Sequence, residues 1–169
     1  QRDFVWKDPA CRMLINSILM GVPLPSIILY EDQDGKYQII DGKQRVTSIL
    51  RFIGALPEAT DFVTKKMSSL KIATNNPMVK AVDDSALVEV ILTGNNPLNL
   101  PPKDVPRYRQ WKNNKSFGII SDQEKEFAKE KLPFLLGAKE FEGLPEFEKL
   151  NGKYYHEIRE EKIRLGGIE

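Results

Sequence analysis

Apolar residues fall at Cys11, Leu14, Ile15, Ile18 and Leu19, a spacing that gathers them on one face of a helix. Asp8 and Pro9 stand just before this stripe and predict its start, with the acid as N-cap and proline at the first helical position. Gly21 predicts its end, and Pro23 and Pro25 keep the helix from resuming. Residues 26–30 then predict an almost wholly apolar strand. Residues 31–36, carrying Asp34-Gly35, predict a hairpin connection to a second strand over 37–41, whose 37–40 portion reads as buried. Val46, Ile49, Leu50 and Ile53 restore the helical period. The first third is thus helix, strand, hairpin, strand, helix.

Beyond Gly54 the pattern is less regular. Residues 60–70 and 83–92 predict helices separated by a polar Asn75-Asn76-Pro77 break. Four prolines and the Asn95-Asn96 pair within 93–106 predict a loop or linker. Ser121 and Glu124 have the spacing of a capping box, so a charged helix is expected from there toward Lys131, with Pro133 ending or kinking it. Asn151-Gly152 predicts a tight turn and residues 157–164 a last helix. No internal repeat or low-complexity segment is found.

The junction of the second strand with the following helix carries the candidate chemistry. There the chain reads Asp41-Gly42-Lys43-Gln44-Arg45. Glycine lets the backbone turn sharply, the first N–H groups of the helix face outward, and Lys43 and Arg45 stand beside them. Such a turn is a seat for phosphate or another anion. Asp41 alternatively caps the helix or the turn. The stretch has neither a Walker A loop nor the three glycines of a dinucleotide fingerprint.

Composition narrows the classes. The 169 residues are 41% hydrophobic and 29% charged, enough for a packed core and a solvated surface. A net charge of +1 gives no global pull toward nucleic acid or membrane. Cys11 is the one cysteine and is expected to be buried, so no intramolecular disulfide forms. His156 is the one histidine, which excludes a histidine-rich metal site or an HNH-type nuclease centre within these residues and leaves a structural role. No stretch has the length and apolarity of a membrane span, no signal peptide is evident, and a cytoplasmic location is expected. The opening Gln1-Arg2 leads to the expectation that the chain is part of something longer.

Three pieces of the first third, taken in order, carry a resemblance. Gln1-Arg2-Asp3-Phe4-Val5-Trp6 precedes a helix containing Leu14-Ile15-Asn16-Ser17-Ile18-Leu19, then Pro23-Leu24-Pro25, then Ile40-Asp41-Gly42-Lys43-Gln44-Arg45. This order resembles the N-terminal ParB/Srx-like domain of GmrSD-type proteins of modification-dependent restriction and anti-phage systems. The family pattern has DGQQR; here Lys43 replaces the first glutamine, giving DGKQR, and the glycine, the second glutamine and the arginine are kept. Leu150-Asn151-Gly152-Lys153-Tyr154-Tyr155 is similar to a later segment of that family. The resemblance implies an α+β fold, a ParB/sulfiredoxin-like small mixed sheet with helices. Residues 1–54 would form the core, 55–143 a helical insertion and 144–169 a return segment.

It further implies a nucleotide-binding module of a restriction or defence protein, with NTP hydrolysis left open and any nuclease lying in another domain or subunit. Gln1, Arg2, Gly42, Lys43 and Arg45 would hold nucleotide phosphate. Gln44 and Asp41 would serve catalysis, Asp41 also as an Mg²⁺ ligand. The alternative is a non-catalytic DNA-binding or partner-docking domain using the same basic pocket.

Each role has a structural counterpart. Arg45 can pair with Asp41 or Glu31, Gln44 can satisfy backbone at the turn, Arg2 and Lys7 can be surface charges, and Trp6 can belong to the core. Residues 103–115 hold five basic residues, one acid, Tyr108 and Trp111. Arg107, Arg109, Trp111 and Lys112 are nucleic-acid candidates there, against a solvated loop anchored by Trp111.

Overall fold

The computed structural model describes residues 6–96, 98–100, 121–137 and 145–160. Helix α1 (Asp8–Leu19) leads into strands β1 (Ile28–Glu31) and β2 (Tyr37–Asp41), and α2 (Lys43–Ile53) follows β2 after one residue. Then come α3 (Pro57–Ala73), α4 (Pro77–Ala81), α5 (Asp84–Thr93), α6 (Asp122–Lys131), α7 (Pro145–Glu148) and α8 (Tyr155–Glu160). The architecture is α+β, with one small antiparallel sheet among the described residues.

Two apolar clusters organise the helices. In one, Cys11 and Ile15 of α1 meet Phe52 of α2 together with Phe134, Leu136 and Leu150. In the other, α3 and α5 contribute Ala59, Val63, Met67, Leu70, Leu87 and Ile91, joined by Ala128 and Leu132 at the end of α6. Of the stripe expected on α1, Cys11, Ile15 and Leu19 pack in the cluster shared with α2 and Leu14 is buried, whereas Ile18 is exposed; the second cluster gives α3 and α5 their partners. Backbone pairing brings the later chain back, since Leu136 N–H donates to the Lys153 carbonyl at 2.8 Å.

Local signals explain the boundaries. Ser121 caps α6 and Glu124 returns the bond, the reciprocal box that the spacing predicts. Pro57 opens α3 three residues earlier than residue 60. Asn76 caps the short α4 by accepting from Met78 N–H, so the expected break is also a helix start. Asp83 likewise caps α5 through Ser85 N–H. The last helix begins at Tyr155, ahead of residue 157, and residues 161–164 lie outside those described.

Two expectations are corrected. Asp8 is not the N-cap of α1: Lys7 is, with no side-chain cap, and Asp8 is the first helical residue. Its carboxylate is drawn instead to Arg51, whose Nη1 lies 2.7 Å from Asp8 Oδ1. Nor is the second strand buried. All of β1 and all of β2 except Ile39 are exposed. An apolar run shows that side chains favour a dry surface without naming what supplies it, and here the described helices leave the hairpin uncovered.

Arg51 is the internal tie between these parts. It is completely buried, its Nε donates to the Leu132 carbonyl at 2.6 Å, and its Nη2 donates to the Lys129 carbonyl. The guanidinium also lies over the Phe134 ring, 5.1 Å from its centroid. One side chain of α2 therefore closes the C-terminal end of α6 and holds the start of α1.

Candidate functional site: the strand-to-helix turn

The hairpin delivers Asp41 to the start of α2. Asp32 shapes its turn, with its Oδ1 accepting from Asp34 and Lys36 N–H, both at 2.9 Å. Leu29 pairs with Ile39 but Ile28 pairs with Asp41, so Ile40 is the extra residue of a β-bulge. A bulge breaks the two-residue alternation and bends the strand, and this one immediately precedes the turn.

Gly42 is the N-cap of α2 with φ +94, a left-handed conformation that a side chain would strain. A Cβ there would also stand 3.0 Å from Arg45 Nη2 and 3.1 Å from Ile27 Cγ1. Position 42 thus requires glycine both for the turn and for the approach of Arg45. No side chain caps this helix start, so Asp41 does not fill the capping role left open for it.

Trp6, Ile40, Asp41, Gly42, Lys43, Gln44 and Arg45 line a pocket of about 350 Å³. Arg45 is mostly buried and Asp41 mostly exposed, with Nη2 and Oδ2 3.7 Å apart. The same Nη2 donates to the Ser26 carbonyl at 3.1 Å, which ties the approach to β1 to the turn. Arg45 Nε is buried without a hydrogen-bond partner among the described residues. Of the two ion-pair alternatives for Arg45, Asp41 is the one adopted. Gln44 Oε1 accepts from Trp6 N–H at 3.3 Å, so Gln44 fixes the segment before α1 against α2. Below it, Ser48 Oγ donates to the Gln44 carbonyl at 2.7 Å and sits 3.3 Å from Cys11 Sγ. Cys11 is buried, as its place on the apolar face predicts.

The structure therefore brings Asp41, Gly42, Lys43, Gln44 and Arg45 together around one opening. Trp6, read from sequence as a core candidate, does two things: it packs on the α1–α2 cluster and lines the pocket. The bulge at Ile40 and the Ser26 carbonyl that accepts from Arg45 carry no sequence signal. An extra strand residue and a backbone carbonyl leave no mark in composition or spacing. Gln1 and Arg2 lie outside the described residues, as do Arg107, Arg109, Trp111 and Lys112. His156 is buried and stacks on Tyr154 with centroids 6.0 Å apart, away from this turn. Among the described residues no group of three or more His, Cys, Asp or Glu could hold a metal, and no helix is long and apolar enough to cross a membrane.

A family model described as GmrSD restriction endonuclease, N-terminal domain, matches residues 1–165. The chain belongs to this family. The GmrSD N-terminal match takes in the helices between residues 55 and 143 as well as the first third. Comparison with curated proteins and with solved structures gives no match.

Proposed function

We propose that this GmrSD-type domain is the nucleotide-binding module of a DNA restriction or anti-phage protein, with phosphate seated at the Gly42–Arg45 turn. The observation that carries this reading is the helix start itself. It has a left-handed glycine as N-cap, no side-chain cap, and Lys43 and Arg45 in the wall of the same pocket. Backbone N–H groups at a helix start favour an anion, and a guanidinium beside them binds phosphate oxygens through parallel donors. Arg45 Nε has donor capacity to contribute. In this reading residues 1–54 are the nucleotide core, 55–143 a helical insertion and 144–169 the return.

Mg²⁺ fits only as a companion of phosphate. Asp41 offers one exposed carboxylate, and this ion commonly takes one or two carboxylates and completes its shell with water and phosphate. Hydrolysis extends the proposal. Gln44 would orient a water, as glutamine does in other phosphoryl-transfer sites, while Arg45 and Lys43 offset charge on the phosphate.

The test is calorimetric titration with ATP, GTP, CTP and UTP, with and without Mg²⁺, for the wild type and Arg45→Ala. Saturable binding of one nucleotide, lost in Arg45→Ala while the fold is retained, is expected. A folded wild-type chain that binds none of the four refutes the nucleotide reading. If DNA binds instead, with affinity falling steeply as salt rises and no need for Mg²⁺, the pocket serves a DNA phosphate.

A further inference from the structure

A second opening lies between α3 and α6, and it shares no residue with the first. Glu58, Asp61, Phe62 and Lys65 of α3 face Gln123, Glu124 and Phe127 of α6 across a groove of about 400 Å³. Phe62 and Phe127 stack, with centroids 5.2 Å apart and planes at 25°. Both rings are half-buried, so they form a floor with some surface still open to solvent.

The walls carry an uneven charge. Glu124 is held by Lys66 at 2.6 Å. Glu58 and Asp61 are exposed and make no hydrogen bond or ion pair among the described residues, leaving two carboxylates beside the aromatic floor against Lys65. A phosphate or nucleic acid would meet repulsion from these acids. An aliphatic side chain would use the rings and leave the carboxylates unanswered. A guanidinium satisfies both, because its flat face stacks on an aromatic ring while its edge donates two parallel bonds to a carboxylate.

We propose that the α3–α6 groove docks an arginine-bearing basic segment of a partner protein, with the arginine over the Phe62–Phe127 pair and its donors on Glu58 and Asp61. The charge complementarity and the stacked rings carry this assignment, and it does not rest on the nucleotide reading.

The test uses the whole chain and a fluorescent nine-residue peptide alternating arginine and serine, followed by anisotropy. A second peptide replaces each arginine by citrulline, which keeps shape and removes charge. The arginine peptide is expected to bind at least about tenfold more tightly than the citrulline peptide, and Glu58→Lys with Asp61→Lys should weaken it by at least about tenfold. Glu126→Lys with Glu130→Lys, a charge reversal on α6 outside the groove, should leave binding within about threefold of wild type. Should the first pair impair folding in a thermal melt, Glu58→Gln with Asp61→Asn makes the same comparison with smaller change. Equal binding of the two peptides overturns the proposal. So does equal loss in the two charge-reversed variants, which would mark bulk attraction, or no binding at all.

Discussion

Replacing Arg51 by alanine tests the logic of the fold at its most connected point. The substitution removes two hydrogen bonds to the carbonyls of Lys129 and Leu132, the ion pair with Asp8 and the contact over Phe134. Losing one member of a buried pair costs about 3–5 kcal/mol. Each buried carbonyl left without a donor costs about 1–3 kcal/mol. These effects overlap, and Asp8 is 34% exposed, so water recovers part of its loss. A net destabilisation of about 3 kcal/mol is therefore expected, the lower end of the range for a buried pair. For a chain of this size that lowers Tm by roughly 6–12 °C. Scanning calorimetry and urea melts measure it. Arg51→Lys should recover part of the loss by retaining the charge near Asp8, without the fork that spans two carbonyls. A Tm within about 2 °C of wild type for Arg51→Ala would refute the reasoning. Arg45→Ala, six residues earlier on the same helix, should do the reverse and remove ligand binding with much less change in stability.

Three further outcomes are expected. Gly42→Ala should cost about 1–2 kcal/mol from its positive φ and displace Arg45 Nη2, so both urea stability and nucleotide affinity fall. Gly94→Ala should cost about 3 kcal/mol or more, because its Cβ would stand 2.0 Å from that of buried His156; an unchanged melt would show that the two do not meet. The hydrogen bond from Lys66, its positive charge and the Ser121 N–H hold the Glu124 carboxyl below the ordinary value of 4.5. The stability this shift supplies is present above pH 4.5 and is lost as pH falls through the lower folded value. Glu124→Gln should flatten the acid side of a stability–pH curve below pH 4.5, and an unaltered slope there would contradict the pairing.

Features encoded within a few residues were the legible ones. Ser121 and Glu124 specify a capping box, Asp34-Gly35 a hairpin, and Cys11 with Ile15 the inner face of α1, and each is found as read. The DGKQR turn could be located because a glycine between an apolar run and an amphipathic helix has local meaning. Exposure of the hairpin was not legible, since an apolar run reads alike whether covered or open. The role of Arg51 is hidden for a different reason. In sequence it is another polar residue of an amphipathic helix, and its Lys129 and Leu132 partners lie 78 and 81 residues away. Asp8 looked like a cap for the same cause, its true partner being invisible from the helix start.

The burial of Cys11 equips the protein with a built-in reporter. It is the one thiol in the chain, it is fully shielded, and it lies between α1 and α2 next to Ser48. A thiol reagent in solution reaches that sulfur only when the two helices part, so the labelling rate counts openings of the clasp beneath the DGKQR turn. A ligand that binds only the closed form slows labelling by the factor 1 + [L]/Kd, where [L] is its free concentration. Candidate nucleotides can thus be ranked by how long one sulfur stays silent, without a tag, a dye on the ligand or any knowledge of turnover.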